Sequence, residues 1–321
     1  MNIASRLKID TDSLTNNFIT FSTGSDFLEI LNFEFKKKLE INTSPRLNIN
    51  ALGNYLIGEK ILGYANMTVN NTNIVEYLKR NDFISLPGVK HYLLTAVAQL
   101  TGDISGYIIK NNDKINFSDD EEITFSKLLL NNYSPVLLLK CSDLKDVSSS
   151  LKQLSELYPD NFSIKYLKND SMYIVSKNEN NNLPVDFYFC YLSEKNEKYF
   201  VTSSNKMELQ RIINNFRDVN ELMKKSENNI FNYFLKNKFN IMDIDNGFCY
   251  FNISAFFNEI KIMHELNPLQ RKLAGYLAEK LECWFTYTTY FNGYNKNRHI
   301  IKAKKKFSFG ELYGILKNQG Q

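Results

Sequence analysis

Short apolar runs of strand type, separated by Asn-rich polar stretches and repeatedly followed by capped amphipathic segments, constrain this chain more than any other feature. Leu62–Val69 (LGYANMTV), Ile104–Ile109 (ISGYII), Val136–Cys141 (VLLLKC), Phe248–Ile253 (FCYFNI) and Glu282–Phe291 (ECWFTYTTYF) read as strands. Four more follow one another at Phe162–Leu167, Ser171–Ser176, Val185–Leu192 and Lys198–Thr202. Helical patterns lie between these runs. In SDLKDVSSSLKQLSELY, Ser142 is the expected N-cap, and Leu144, Val147, Leu151, Leu154 and Leu157 share one stripe. Ser204–Phe216 has Met207, Ile212, Ile213 and Phe216 as its apolar positions, and Asn220–Lys238 continues with another helix. LPGVKHYLLTAVAQL (86–100) has Pro87 near its start, and a short amphipathic stretch, Asn73–Arg80, precedes it. Ser254 is expected to cap a helical pattern reaching Leu281, with Pro268 opening its second helix. Asn17–Thr23 and Phe27–Ile41, joined by Gly24-Ser25-Asp26, read as a hairpin or meander, with a helix as the competing reading of the second segment. Arg298–Lys306 returns from the turn at Asn292–Asn297, and Phe307–Lys317 closes the chain as a short helix.

The pattern has an internal echo. Tyr64-Ala65-Asn66-Met67-Thr68 leads through two helices into Ile104–Ile109, and Tyr250-Phe251-Asn252-Ile253-Ser254 leads through two helices into Cys283–Phe291. A strand ending Tyr-x-Asn-apolar-hydroxyl feeds helices and returns to a strand, and the hydroxyl is placed to cap the first helix. The expected fold is α+β: mixed or antiparallel sheets, helices packed on one face, and repeated β-α-α-β units. Chain order suggests a β flank at 1–45, a first α+β unit at 46–135, and second and third units at 136–321, the last forming one continuous globular body.

Composition narrows the function classes. The 321 residues are 43% hydrophobic and 14% aromatic, which excludes intrinsic disorder. There are 13 Gly and 6 Pro against 42 Asn, a balance that leans away from glycine-rich nucleotide folds. The formal charge is +4 and only seven of the 39 cations are Arg, too weak a bias for a dedicated nucleic-acid binder. No run approaches a membrane-spanning length, and MNIASRLKIDTDSLTNN lacks the apolar segment of a signal peptide. Cys141, Cys190, Cys249 and Cys283 sit in apolar strand-like runs without a CxxC and read as buried free thiols; spacing leaves a disulfide open.

Each chemical motif has a plainer explanation. His91, His264 and His299 are too scattered for a local ligand motif, and isolated histidines account for them. Asp119-Asp120-Glu121-Glu122 reads as a solvated face or helix N-terminus. Asp243-Ile244-Asp245-Asn246-Gly247 resembles a calcium loop, but the glycine comes one position early and Ser254 replaces the bidentate Glu. Gly102-Asp103-Ile104-Ser105-Gly106 lacks the central Ser of a nucleophile elbow, so Gly102 and Asp103 read as a helix stop and turn. Gly53, Gly58 and Gly63 match no phosphate loop. Lys302, Lys304, Lys305 and Lys306, like Lys36–Lys38, read as a solvated edge before an anionic-ligand site. Along Glu282–Phe291, alternation puts Cys283, Phe285, Tyr287, Thr289 and Phe291 on a core-like face, with Trp284, Thr286, Thr288 and Tyr290 opposite. Asn66, Gly102, Asp103, Gly247 and Asn252 are therefore assigned turn or cap roles. No residue is assigned to catalysis, a cofactor or a metal.

LGYANMTV, LPGVKHYLLTAVAQL and LTGDISGYI together resemble successive landmarks of an uncharacterised family of Bacteroidota cell-envelope proteins, often lipoproteins, known as a domain of unknown function. VLLLKCSDLKDVSSSLKQL, FCYFNI and the closing Arg298–Lys317 extend the likeness over about residues 46–321. The lipoprotein signal usual in that family is not visible here. The resemblance implies an envelope location, on the periplasmic side or surface, and supplies no catalytic residue. The expectation is a non-enzymatic envelope module that binds a protein or envelope partner or serves structurally, without cofactor, nucleic acid or transmembrane segment. The alternatives are a cytoplasmic partner-binding protein, and an enzyme whose site gathers distant residues such as His91, Asp103 and His264.

Overall fold

Apolar alternation produces antiparallel pairing throughout the described part of the chain. The computed structural model describes residues 17–23, 27–35, 61–68, 95–96, 98–111, 132–160, 163–176, 186–194, 197–217, 247–263, 266–291 and 294–304. Its contacts divide the chain into two compact units: unit 1 comprises 1–44, 115–130 and 242–321, and unit 2 comprises 45–114 and 131–241. The grouping departs from chain order because the first 44 residues join the last 80, a pairing no local pattern announces. No described helix is long and apolar enough to cross a membrane.

Unit 2 contains β3 (Ile61–Thr68), β4 (Leu100–Lys110), β5 (Tyr133–Cys141), α1 (Leu144–Leu157), β6 (Ile164–Leu167), β7 (Met172–Val175), β8 (Phe187–Glu194), β9 (Glu197–Ser203) and α2 (Lys206–Arg217). Its strands run in the order β3-β4-β5-β9-β8-β7-β6. Helices lie on both faces, which corrects the one-face expectation. α1 sits with Leu144, Val147 and Leu151 against Leu139, Tyr191 and Phe200. α2 meets the opposite face, where its Phe216 touches Tyr199 and its Glu208 takes the Tyr107 hydroxyl. Both faces of β5 are apolar, Val136 and Leu138 on one and Leu137 and Leu139 on the other, so a single helical layer cannot cover them.

Unit 1 contains β1 (Asn17–Thr23), β2 (Phe27–Phe35), β10 (Gly247–Phe251), α3 (Ile253–Ile260), α4 (Pro268–Lys280), β11 (Leu281–Phe291) and β12 (Tyr294–Ala303). The order is β1-β2-β12-β11-β10. Phe27–Phe35 is a strand, so the helical reading of that segment fails: β2 pairs with β1 on one side and β12 on the other. Cys283, Phe285 and Tyr287 are buried while Trp284 and Thr286 are half-buried, as the alternation of β11 requires. α3 and α4 lie together, and Ala274 and Ala278 are the buried positions of α4, small residues that permit close approach.

Several capping assignments move. Asp143 is the N-cap of α1, accepting from Lys145 N at 2.7 Å; Ser142 instead shares its one hydroxyl proton between Gln99 O and Oε1, at 3.0 and 2.9 Å. Asn252 caps α3 by accepting from Ala255 N at 2.9 Å, while Ser254 lies inside the helix and donates to Ala278 O at 2.8 Å. Asn66 is no cap: it is buried within β3, opposite Ser105. Gly102 and Asp103 lie inside β4, not in a turn, where the register with β5 shifts between Leu100 and Ile104; a glycine suits such a bulge. Gly247 is the first residue of β10, opposite Thr288. Pro268 opens α4 behind Asn267, whose capping box with Gln270 is complete. The expected elements at 73–80, 220–238 and 307–317, most of 86–100, the turns at 24–26 and 243–246, and Asp119–Glu122 lie outside the described residues.

Candidate functional site

Two polar clusters, one buried and one half-buried, and one open apolar face are the features with chemical potential. In unit 2, Asn205 precedes α2 as its cap, accepting from Glu208 N at 3.0 Å. Asn205-x-x-Glu208 has the spacing of a capping box, in which the Glu would return to the cap's own N–H. Here Asn205 N donates to Ser203 Oγ at 3.0 Å, and the Glu208 carboxylate turns into the sheet. Its Oε1 accepts from Tyr107 Oη at 2.6 Å and from Arg211 Nη2 at 2.6 Å, and its Oε2 accepts from Arg211 Nε at 2.8 Å. Arg211 Nη2 also reaches Tyr107 Oη at 3.3 Å. Burial, then the adjacent carboxylate, pushes the Tyr107 phenol well above its ordinary value. Burial alone would lower the Arg211 guanidinium, yet the bond to Glu208 and the field of Tyr107 and Glu208 raise it on balance. A cation, a carboxylate and a phenol thus satisfy one another, and Asn111 extends the cluster by accepting from Ser134 Oγ and Asn205 Nδ2.

Unit 1 repeats the combination. Arg298 donates through Nε to Glu29 Oε1 at 2.7 Å and through Nη1 to Tyr287 Oη at 2.8 Å. No local motif could have found these groups, because 101 residues separate Tyr107 from Glu208 and 269 separate Glu29 from Arg298. The local signals were the Asn-x-x-Glu spacing, which points to a cap, and Glu208 and Arg211 three apart on α2, which points to an ordinary helix ion pair.

The expected basic cluster is partly neutralised. Lys302 pairs with Glu282 at 3.5 Å, and Lys304 donates to Ala278 O at 3.2 Å and to Ser254 Oγ. Lys304 thereby places its charge at the C-terminal end of α4, where the helix dipole favours a cation. Lys305, Lys306 and Lys36–Lys38 lie outside the described residues. So do His91 and His264; His299 stacks on Trp284 with centroids 6.0 Å apart, and burial lowers its imidazole below the ordinary value. Asp103 is the backbone register partner of Thr68 between β3 and β4. All four cysteines are free, and Cys141, Cys190 and Cys283 are buried. Burial pushes the Cys190 thiol up to about 12.

The open face belongs to unit 2. Ala65, Gly106, Leu137, Thr202, Phe189, Tyr173 and Tyr166 stand directly opposite one another from β3 to β6, so they form one row on one face. α1 covers the neighbouring row of Leu139, Phe200 and Tyr191. The first row is left partly open: Leu137 is 43% exposed and Tyr166 51%, and Ile108, one row further, is 38% exposed. Phe189 and Tyr173 stack at 4.9 Å and 6°, ring upon ring along the row. Phe189 is buried, so its ring face is not open to a sugar.

Comparison with protein families, curated proteins and solved structures finds no match. The site is therefore read from its own chemistry.

Proposed function

We propose that this chain is a non-enzymatic binding or structural module of the bacterial cell envelope, and that the Leu137 row of unit 2 is its binding face. The carrying observation is the contrast between that row and the polar clusters. Tyr107, Glu208 and Arg211 use their polar groups on one another, while Leu137 and Ile108 spend apolar surface on water. The partner chemistry that fits is an amphipathic helix. α1 already rests on the adjacent row through Leu144, Val147 and Leu151. Leu137 and Ile108 lie one and two rows on from Leu139, on the face that already accepts α1. The envelope location rests on the family resemblance of LGYANMTV and LTGDISGYI. A cytoplasmic partner-binding protein is the second reading, favoured by four free thiols.

The repeated unit belongs to this proposal as well: β3-β4-β5 and β10-β11-β12 are two copies of one motif. In each, the second strand returns antiparallel beside the first, and its register with the third shifts at its start, between Leu100 and Ile104 and between Leu281 and Cys283. In each, the residue after the third strand donates to the residue before the second: Ser142 N to Gln99 O at 2.7 Å and Lys304 N to Lys280 O at 2.8 Å.

The test is fractionation of cells carrying the complete native gene, with a photoreactive residue at position 137. The reading expects an adduct in the envelope fraction, and none from the same probe at Met207, which is 67% exposed on α2. Cytosolic protein with an adduct from 137 would favour the second reading. Equal adduct from both positions would defeat the binding face.

A further inference from the structure

The strand triplets β3-β4-β5 and β10-β11-β12 end alike. Leu100 pairs with Cys141 and Leu281 with Ala303, directly before Ser142 and Lys304, whose N–H groups close each triplet. Counted back from that point, Leu139 and Ile301 are counterparts. So are their neighbours, Ile104 and Trp284 on one side, Phe200 and Leu28 on the other. In unit 2 the chain leaves β5 and returns as α1, whose Val147 and Leu151 pack with Leu139 and Phe200. In unit 1 the corresponding row, Trp284, Ile301 and Leu28, is half-buried.

We infer that this row is the seat of the segment that follows β12, Phe307–Lys317, bound as a helix in the manner of α1. The sequence past β12 names the occupant. Ser308-Phe309-Gly310-Glu311 has capping-box spacing, and Phe307 and Leu312 stand at the staple positions on either side, so a helix begins at Phe309. Phe309, Leu312, Tyr313 and Leu316 then form one stripe. Phe309, Tyr313 and Leu316 follow Lys304 at the intervals at which Val147, Leu151 and Leu154 follow Ser142, so the two apolar stripes are in phase. Leu144 alone has a polar counterpart, Lys306, because the capping box starts the second helix a turn later. The segment belongs to the same unit as β2, β11 and β12. The inference rests on the repeated-unit reading and is independent of the Leu137 face.

A photoreactive residue at position 313 of the full chain tests it, and the expected product is an intramolecular adduct on peptides of β11 or β12. Trp284, the single tryptophan, lies in the seat and reports it without cross-linking. Tyr313→Glu and Leu316→Glu put a carboxylate on the apolar stripe, so each should shift Trp284 emission to longer wavelength and raise its quenching by acrylamide. Asn318→Lys, on the opposite side of the helix, should change neither. Slow amide exchange in β10, β11 and β12 shows that the sheet of each variant stays folded. Backbone chemical shifts of residues 73–98 separate failure of the seat from failure of the repeat. No helix there defeats the repeat, whereas helices there with an adduct off the seat defeat the seat alone. An adduct elsewhere, no adduct from position 313, or Trp284 emission unmoved in both Glu variants overturns the inference.

Discussion

At the scale of single residues, Glu208 shows why a buried charge can be structural. Its carboxylate is buried and accepts from both Tyr107 and Arg211, so its removal takes a hydrogen-bond partner from each. Glu208→Ala should cost about 2–4 kcal/mol in chemical denaturation, and Tyr107→Phe about 1 kcal/mol. A double-mutant cycle should show the two effects coupled. His299 carries a pH dependence. Its folded value lies below the ordinary 6.5, so the unfolded chain takes up the proton first as pH falls. Stability is therefore full above that value and declines below it, and Trp284, the single tryptophan, reports the stacked ring. Denaturation midpoints followed by Trp284 emission should fall between neutral pH and pH about 5, and His299→Gln should flatten the fall. The buried thiols give a third expectation. A thiol reagent should leave Cys141, Cys190 and Cys283 unmodified in the folded chain and titrate all four cysteines after unfolding.

At the scale of elements, period carries more information than capping does. The strand at Asn17–Thr23 and the helix opening at Pro268 were legible to the residue, because alternation and proline act locally. The caps slipped where two polar residues compete. Ser142 and Asp143 are both good caps, and Ser142 is drawn to Gln99, a residue 43 positions away. Asn252 and Ser254 divide likewise, since Ser254 is taken by the last turn of α4. Asn252→Ala should therefore cost about 1 kcal/mol, the ordinary value of a lost N-cap. The β6–β7 turn offers the opposite sign. Ser171 holds φ 56°, a left-handed backbone that suits glycine, so Ser171→Gly should raise stability by up to about 1 kcal/mol. Thermal denaturation of the two variants reads both signs.

At the scale of the whole chain, what remained hidden is what joins distant residues. Alternation left β2 open between strand and helix, and it did not show that β2 and β12 are neighbours, since Phe27 and Lys302 meet across nearly the full length of sequence. The second apolar face of β5 was written in VLLLKC, where every residue from Val136 to Leu139 is apolar, yet only the sheet order showed α1 on one side and α2 on the other. The Leu137 row was illegible for the same reason, because its seven members come from seven strands. The claim that this row binds a partner is tested most directly by a photoreactive residue at position 108 in cells expressing the native chain and Leu137→Glu. The account predicts that Leu137→Glu folds with its denaturation midpoint nearly unchanged, as an exposed position allows, and loses the adduct formed from position 108. An adduct of undiminished yield, or a Leu137→Glu protein that no longer folds, would contradict it.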